Sequence, residues 1–404
     1  MKYDLIVIGA GPAGMCASIE AASHGASVAI VDENPVSGGK LLGQLHEEEQ
    51  KRWWIGKEIA LKLEEKVNQL EITSFQEREV WGIFPRWQVM LNSGEHLQSK
   101  NVLIATGAAE KAIPIPGWTT PGVMAIGAAQ VLTNYYRVKP GNKVAVVGVD
   151  PLSLSVAHEM KMAGINVVGI FLPPFNELSE GKSNPKQMIS NLSSLAHLAP
   201  NPLLKVAGKM AQYTSVQHIG AKLYPPVGLK IWGIPLFLRK AVLEIEGVNQ
   251  VESITIATVN SEGMVKQNTL KRVEVDCVCI SGGLYPLSEI AGVAGCDSAY
   301  IDDLGGYIPL HNDEMETTQS GIFVAGNITG IEGAKVAMAQ GELAGKSISV
   351  KLGLVKNGRD VIRKAQNKVE NEREKAILTF QQNSKRGRKK SAQFWNKKQR
   401  VNKD

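Results

Sequence analysis

An α/β architecture of repeated strand, glycine turn and helix units is what this sequence predicts, and three stretches carry the prediction. At the start, Asp4-Leu5-Ile6-Val7-Ile8 runs into Gly9-Ala10-Gly11-Pro12-Ala13-Gly14, glycines spaced G-x-G-x-x-G with a helical pattern directly behind. In the middle, Lys143-Val144-Ala145-Val146-Val147-Gly148 repeats the outline and is followed by a helical run to Ala163-Gly164. Towards the end, Ile322-Phe323-Val324-Ala325-Gly326-Asn327 is a third glycine-ended strand, after which Gly330-Ile331-Glu332-Gly333-Ala334 opens a helix through Ala344. Apolar strands alternating with helical runs predict parallel sheets covered by helices.

The first stretch organises the rest. Gly9 permits the tight turn, Gly11 lets backbone approach a pyrophosphate, and Gly14 lets the helix pack on the strand. The helix N-terminus, with Pro12 and Ala13 in its first turn, offers free N–H groups and a positive dipole end to the phosphates. The next strand, Ser27-Val28-Ala29-Ile30-Val31, ends in Asp32 and Glu33. Asp32 lies 18 residues past Gly14, near the spacing at which an acid grips the ribose hydroxyls of an adenine dinucleotide. A glycine loop that serves packing alone is the competing reading.

A length of 404 residues is too much for one compact core, and 44% hydrophobic with 21% charged residues is ordinary for a soluble globular protein. No apolar run approaches the roughly 18 residues of a membrane span. The N-terminus is assigned to the fold and not to a signal peptide, because Asp4 and the glycines interrupt its apolar stretch. Four cysteines without a paired pattern fit a reducing compartment, so the cytoplasm is expected. The net charge of +6 is local: residues 385–404 carry nine Lys and Arg against one acid, which leaves about −2 on the rest.

In order, Asn34-Pro35-Val36-Ser37-Gly38-Gly39-Lys40 reads as a loop, and Ile55, Ile59, Leu63, Val67 and Leu70 recur at helical spacing. Trp53 and Trp54 at that helix start, and His46 before it, suit either packing or the wall of a ligand site. Residues 71–100 alternate as a β-meander with a turn at Asn92-Ser93-Gly94. Asn101-Val102-Leu103-Ile104-Ala105-Thr106-Gly107 is a buried strand that re-enters the first sheet. Prolines break residues 172–240 into short pieces, with helices expected between 184 and 210. Strands resume from 242 to Asp276-Cys277-Val278-Cys279-Ile280, where Cys277 and Cys279 fall on one strand face and are expected as buried thiols. A charged helix is expected over 354–380 and a solvated basic tail over 381–404, whose removal should leave fold and cofactor content intact.

Residues 105–110, then Ile113-Pro114-Ile115-Pro116-Gly117-Trp118-Thr119-Thr120-Pro121-Gly122-Val123-Met124 and Gly127-Ala128-Ala129-Gln130, resemble the signature of one branch of the two-dinucleotide-binding-domain flavoproteins. That branch comprises the larger subunits of opine, hydroxyproline, proline and sarcosine dehydrogenases and oxidases, with the hydrogen cyanide synthase subunit, and the likeness runs from residue 1 to about 350. The resemblance implies two Rossmann-like three-layer dinucleotide-binding domains, the second inserted into the first, as in pyridine nucleotide-disulfide oxidoreductases. It implies an FAD-binding domain at 1–112 and 300–350, a degenerate NAD(P)-binding-like domain at 113–299, and a C-terminal helix and basic tail at 351–404. In such flavoproteins Gly39 and Lys40 correspond to the loop that approaches the second phosphate region. Thr106 and Gly107 close over the cofactor, Gly326 and Asn327 lie by the ribityl chain, and the helix after Gly333 points at the flavin's pyrimidine edge. Asn327 departs from the usual Asp; it can still accept from a hydroxyl and can also donate.

NAD(P) is not expected at the second unit. If Gly148 is its first glycine, Asp150 and Ser153 stand where the other two belong, and Phe171 replaces the ribose acid. A carboxylate repels a pyrophosphate and its side chain blocks close approach. No Cys-x-x-Cys suits a disulfide reductase, Cys16 in the first helix reads as buried, and no cysteine follows Cys296 to ligate the iron–sulfur cluster that several relatives carry. No metal site and no catalytic base are read from the sequence.

Two functions follow. One is an FAD-dependent oxidoreductase subunit that oxidises a small amine or amino acid, or relays its electrons, beside a smaller flavoprotein subunit. The other is a non-catalytic subunit holding NAD, ATP or FAD structurally. Nucleic-acid binding is not expected, resting as it would on the tail's charge alone.

Overall fold

The computed structural model describes residues 1–48, 52–179, 181–194, 224–225, 227–376, 380–381 and 383–401. The chain divides into two compact units, Met1–Leu42 with Ile55–Ala109 and Leu284–Asp404, and Gly43–Trp54 with Glu110–Gly283. The C-terminal helices therefore belong to the first unit.

In the first unit the strand Lys2–Ile8 lies inside the sheet, parallel to Val28–Val31 on one side and His96–Ile104 on the other. Thr73–Phe75 adds in parallel to Val28–Val31, and Ile322–Val324 to the end of His96–Ile104. Leu5, Ile6 and Val7 are all fully buried, which marks a strand covered on both faces. On one face Leu5, Val7, Val28, Ile30, Leu103 and Phe323 pack with the helices Pro12–Ser23 and Ala334–Lys351. On the other, Ile6, Ile8, Val31, Val102 and Ile104 pack with Ile83, Val89 and Leu91 of the antiparallel strands Val80–Phe84 and Gln88–Leu91. Three layers result. The meander read over 71–100 is present from residue 80 onward, while Thr73–Phe75 joins the parallel sheet instead.

The second unit repeats the parallel arrangement, with Lys143–Val147 between Asn166–Leu172 and Cys277–Ile280, then turns antiparallel through Ile234–Glu246, Ser253–Thr258 and Lys271–Glu274. Cys277 and Cys279 are fully buried on one face with their sulfurs 3.9 Å apart, and their contact and burial push the Cys279 thiol well above its ordinary range. Pro185–Ser194 is a helix of the stretch expected over 184–210; residues 195–223 lie outside the described residues. No helix among the described residues is long and apolar enough to cross a membrane.

One carboxylate of this unit is buried with no cation beside it among the described residues. Glu159, on the helix Pro151–Met162, is 3% exposed and accepts from Gln130 at 3.0 Å, from Asn134 at 2.6 Å and from the Ser155 hydroxyl at 2.8 Å. Asn134 also donates to the Gly43 carbonyl at 2.7 Å, so the acid ties three segments of the unit together. Its bonds all favour the ionised form, yet burial outweighs them and moves the carboxyl from its ordinary 4.5 to about 7.

The basic C-terminus departs from the sequence expectation. Ser384–Val401 is a helix docked on the first unit, not a solvated tail. Ser384, Gly387, Arg388, Ser391, Trp395 and Lys398 share its inward, less exposed face. Gly387 comes so close that a Cβ there would lie 2.7 Å from Leu304 and 2.9 Å from Asp303. Charge completes the attachment: Arg386 donates to Asp303 at 2.8 Å, Lys390 reaches the same carboxylate at 2.8 Å, and Lys398 pairs with Asp297 at 3.2 Å. The tail read as solvated because its counter-charges lie 56 to 101 residues upstream.

Two outcomes are expected. Deleting residues 383–404 removes the packing of Gly387 on Leu304 together with the ion pairs to Asp303, so the melting temperature should fall by a few degrees. Hydrogen bonds from Arg386 and Lys390 hold Asp303 well below the ordinary carboxylate range, so this stabilisation is present above about pH 4 and lost as the pH falls below it. An unchanged melting temperature would mean that the helix adds nothing. Glu159 has the opposite sign: its raised value makes the native unit lose about 3 kcal/mol as the pH climbs from 4.5 to about 7. Denaturation across that window should show the wild type losing about this much stability relative to Glu159→Gln.

Candidate functional site

The opening turn contains two kinds of glycine. Gly9 has φ +105°, and a Cβ there would sit 2.5 Å from the Ala105 carbonyl oxygen. At Gly14 a Cβ would lie 1.9 Å from the Gly9 oxygen. Both are demanded by packing. Gly11 is not: it is the N-cap of Pro12–Ser23 in extended backbone, makes no side-chain cap, and a Cβ there would meet nothing within 4 Å. Packing alone accounts for the first and third glycines and leaves the second fronting open space.

Around that opening the neighbouring segments converge. Gly38 donates to the Ala10 carbonyl at 2.9 Å, which lays the next loop beside the turn, and a Cβ on Gly39 would come within 3.3 Å of Gly11. Lys40 follows, exposed. Asp32 accepts from the Ala10 N–H at 2.5 Å and from the Asn34 amide and side chain at 2.8 and 3.0 Å. Its carboxylate is thus engaged in fixing the turn, while Glu33 beside it is exposed. Thr106 donates its hydroxyl to the Leu287 carbonyl at 2.6 Å, and the Leu287 N–H returns a bond to Gly107 at 3.1 Å.

The return segment meets the same place from the far end of the chain. Gly326 has φ +80°, and a Cβ there would lie 2.9 Å from that of Ala13. The helix Ala334–Lys351 then crosses the first helix closely, since a Cβ on Gly341 would stand 2.1 Å from the Ala13 oxygen and one on Gly345 2.6 Å from the Ala17 oxygen. Its N-cap is Gly333, extended, without a side-chain cap and with open space in front. Two helices that pack on one another therefore each begin with N–H groups free of a side-chain cap, one suited to phosphate and the other to a partly negative ring edge.

Gln340, Arg373 and Arg388, which the sequence did not single out, help to hold this return loop. Gln340, 1% exposed, accepts the Gly326 N–H at 2.8 Å, and Asn327 accepts the Glu332 N–H at 3.1 Å. Glu332 pairs with Arg373 at 2.9 Å and with Arg388. Burial alone would raise the Glu332 carboxyl, but the two guanidiniums more than offset it and leave it lowered. A polar Gln on the buried face of a small-residue helix was the available signal; Arg373 and Arg388 had none nearby in sequence.

The second unit keeps the turn without the opening. A Cβ on Gly148 would stand 2.1 Å from the Ser281 oxygen, so the glycine is again required. Asp150, however, caps its own helix: it accepts from the Ser153 N–H at 2.8 Å, the Ser153 hydroxyl accepts from the Asp150 N–H at 2.9 Å, and Ser281 donates to the carboxylate at 2.6 Å. A built-in carboxylate thus takes the helix terminus that a phosphate would use. Lys182 bonds the Gly282 carbonyl, and Phe171, 2% exposed, stacks on Phe237 at 5.0 Å. Trp54 is 8% exposed, stacks on His46 at 5.8 Å and donates to Gln44 at 3.1 Å, while Trp53 is exposed. These three side chains, His46, Trp53 and Trp54, belong to the second unit, whereas the opening glycine turn belongs to the first. No group of three or more His, Cys, Asp or Glu that could hold a metal is found among the described residues.

Comparisons with known proteins bear on the family and the fold. Residues 3–174 and 232–341 match a family model described as pyridine nucleotide-disulphide oxidoreductase. The chain is 28% identical to one of the opine oxidase subunits of Agrobacterium tumefaciens (strain Ach5), over 87% of this chain and 66% of that protein. It is 26% identical to the HcnB component of hydrogen cyanide synthase from Pseudomonas protegens, over 88% and 72% respectively. In fold it is similar to the crystal structure of L-proline dehydrogenase from P. horikoshii, with a TM-score of 0.63 at 20% identity over 91% of this chain and 59% of that one. The chain spans about two thirds of the length of the curated relatives it matches. With well over half its residues matched and the glycine turns and layered sheets in place, the chain belongs to the pyridine nucleotide-disulphide oxidoreductase family, a family of FAD-dependent oxidoreductases.

Proposed function

We propose that this chain is the larger subunit of a hetero-oligomeric FAD-dependent dehydrogenase or oxidase acting on a small amine or amino acid, whose substrate it oxidises or whose electrons it relays. The observation that carries the reading is the pair of bare, glycine-started helix N-termini at Gly11 and Gly333, on two helices of the first unit that pack on one another. An FAD fits that pair, since one end carries two phosphates and the other a ring edge that becomes negative on reduction. Gly9, Gly11, Pro12, Ala13 and Gly14 take the pyrophosphate, helped by Gly39 and Lys40. Asp32 shapes the turn, and Glu33, exposed beside it, takes the ribose. Thr106 and Gly107 border the cofactor, and Gly326, Asn327 and Gly333 hold its ribityl and ring end. Bound FAD supplies hydride acceptance; the chain supplies position and electrostatics.

Two features favour a subunit over a self-contained enzyme. Relatives are themselves named as subunits. The second unit, with Asp150 on its helix terminus, is a poor NAD(P) site, and the described cysteines are all free thiols with no dithiol motif, so the usual internal electron relays are missing from this reading. The smaller partner flavoprotein is then the source or sink of electrons. The basic helix spends much of its charge on the body of the protein, so a nucleic-acid role finds no support in it.

Purified protein should carry FAD, seen as flavin absorption released on denaturation, and Gly11→Asp should weaken FAD binding on the order of a hundredfold by steric block and like charge. A colourless protein that retains NAD or ATP would instead make it a structural nucleotide-binding subunit. NADH or NADPH should leave the flavin oxidised under anaerobic conditions, and rapid bleaching would overturn the reading of the second unit. Affinity purification from the native source should recover a second flavoprotein with amine-dependent activity. If the isolated chain alone turns over an amine as fast as any co-purified complex, the partner is not needed.

A further inference from the structure

The C-terminal helix Ser384–Val401 reaches the return loop through one side chain. Arg388, 16% exposed, donates from Nη1 to the Thr329 carbonyl at 2.6 Å and to its hydroxyl at 3.2 Å, and pairs through Nη2 with Glu332. It runs so close over the loop that a Cβ on Gly330 would lie 3.1 Å from Nη2. Glu332 is held from another side by Arg373 and accepts from Gln340 at 3.2 Å. Gln340 in turn accepts from the Gly326 N–H at 2.8 Å and from the Thr329 hydroxyl at 3.3 Å, and Asn327 accepts from the Glu332 N–H at 3.1 Å. A continuous set of bonds therefore links the basic helix to Gly326 and Asn327. Arg388 faces one carboxylate in company with a second guanidinium, and the buried Nε of Arg388 makes no hydrogen bond.

The loop so held has little shape of its own. It contains Gly326, Gly330 and Gly333, two of them at positive φ, and a single short 3₁₀ turn over Gly326–Thr329. Fixing each such residue costs about 1–2 kcal/mol of backbone entropy. A ligand that meets the loop already fixed does not bear that cost, which is how preorganisation raises affinity.

We propose that Arg388 is a positioning residue for the cofactor, and that the C-terminal helix is an ionic clamp which holds the 326–333 loop in its binding shape through Glu332. The proposal rests on the reading of the first unit as the FAD site. It assigns the cluster of basic residues at the C-terminus to the cofactor site of the same chain and not to an external partner.

The test uses the full-length chain in two readouts: hydrogen–deuterium exchange of the 326–333 amides in the flavin-free protein, and titration of that protein with FAD. Arg388→Gln should raise exchange in this loop and the FAD dissociation constant each by about tenfold, the loss expected for one charged hydrogen-bonded contact. Arg388→Lys, which keeps the charge but not the fork that holds Thr329 and Glu332 together, should recover part of both. Lys397→Gln, an equal charge change at an exposed position of the same helix, should stay within about twofold of wild type in both. Exchange and affinity unchanged in Arg388→Gln would overturn the clamp. If wild type binds no FAD, the cofactor reading fails while exchange still decides the clamp. If Arg388→Gln does not fold, Arg388→Lys decides it: wild-type exchange and affinity in that variant overturn the proposal.

Discussion

The close crossing of the first helix and the return helix is the contact on which the rest of the first unit depends. Gly341 and Gly345 set the backbone of Ala334–Lys351 against the carbonyls of Ala13 and Ala17, and Gly326 fits beside the Ala13 side chain. A methyl group at any of these glycines would overlap main-chain or side-chain atoms that cannot move far without disturbing the sheet beneath. Because the two helices touch, the glycine-started helices behind Gly11 and Gly333 form one packed pair although 322 residues separate those two glycines. Neither end carries a side-chain cap, so each leaves its partial positive charge open to a ligand.

The two units show how one local pattern serves opposite ends. Both have a strand, a glycine of positive φ lodged against a carbonyl from a neighbouring strand end, and a helix behind it. In the first unit the helix terminus is left bare. In the second, Asp150 and Ser153 cap it reciprocally and Ser281 fixes the carboxylate, so the N–H groups are satisfied within the protein. A capping box stabilises its helix by roughly 0.5–2 kcal/mol, and here it does so with the group least compatible with a phosphate. The second unit thus keeps its fold while its terminus turns inward.

Charge at the C-terminus follows a related logic. Asp303, 5% exposed, and Glu332 are acids that the first unit buries, and buried carboxylates without partners are strongly destabilising. The basic helix supplies Arg386, Lys390 and Arg388 to them, while its small residues Gly387 and Ser391 let it approach. Exposed pairs such as Lys398 with Asp297 contribute little beside these. The result couples the last segment of the chain to the loop that carries Gly326 and Asn327.

The sequence by itself determined the layered α/β plan, the two glycine turns and the buried pairing of Cys277 with Cys279, because each rests on short-range rules: period-two strands, glycine where φ is positive, and helix starts a few residues on. It also marked Asp150 as hostile to phosphate, though not that it would cap its own helix. Other features were decided only by tertiary structure. Asp32 satisfied the spacing rule for a ribose acid, yet folding engages it with the Ala10 and Asn34 amides and leaves Glu33 exposed. Trp54 and His46, on two short paired strands, stack on each other, a pairing that their spacing alone does not give. The basic tail carried no local sign of its partners, since Arg388 meets Glu332 56 residues away and Arg386 meets Asp303 across 83. Local sterics are written in neighbouring residues, whereas charge pairing and helix crossing depend on which distant segments the completed sheet brings together.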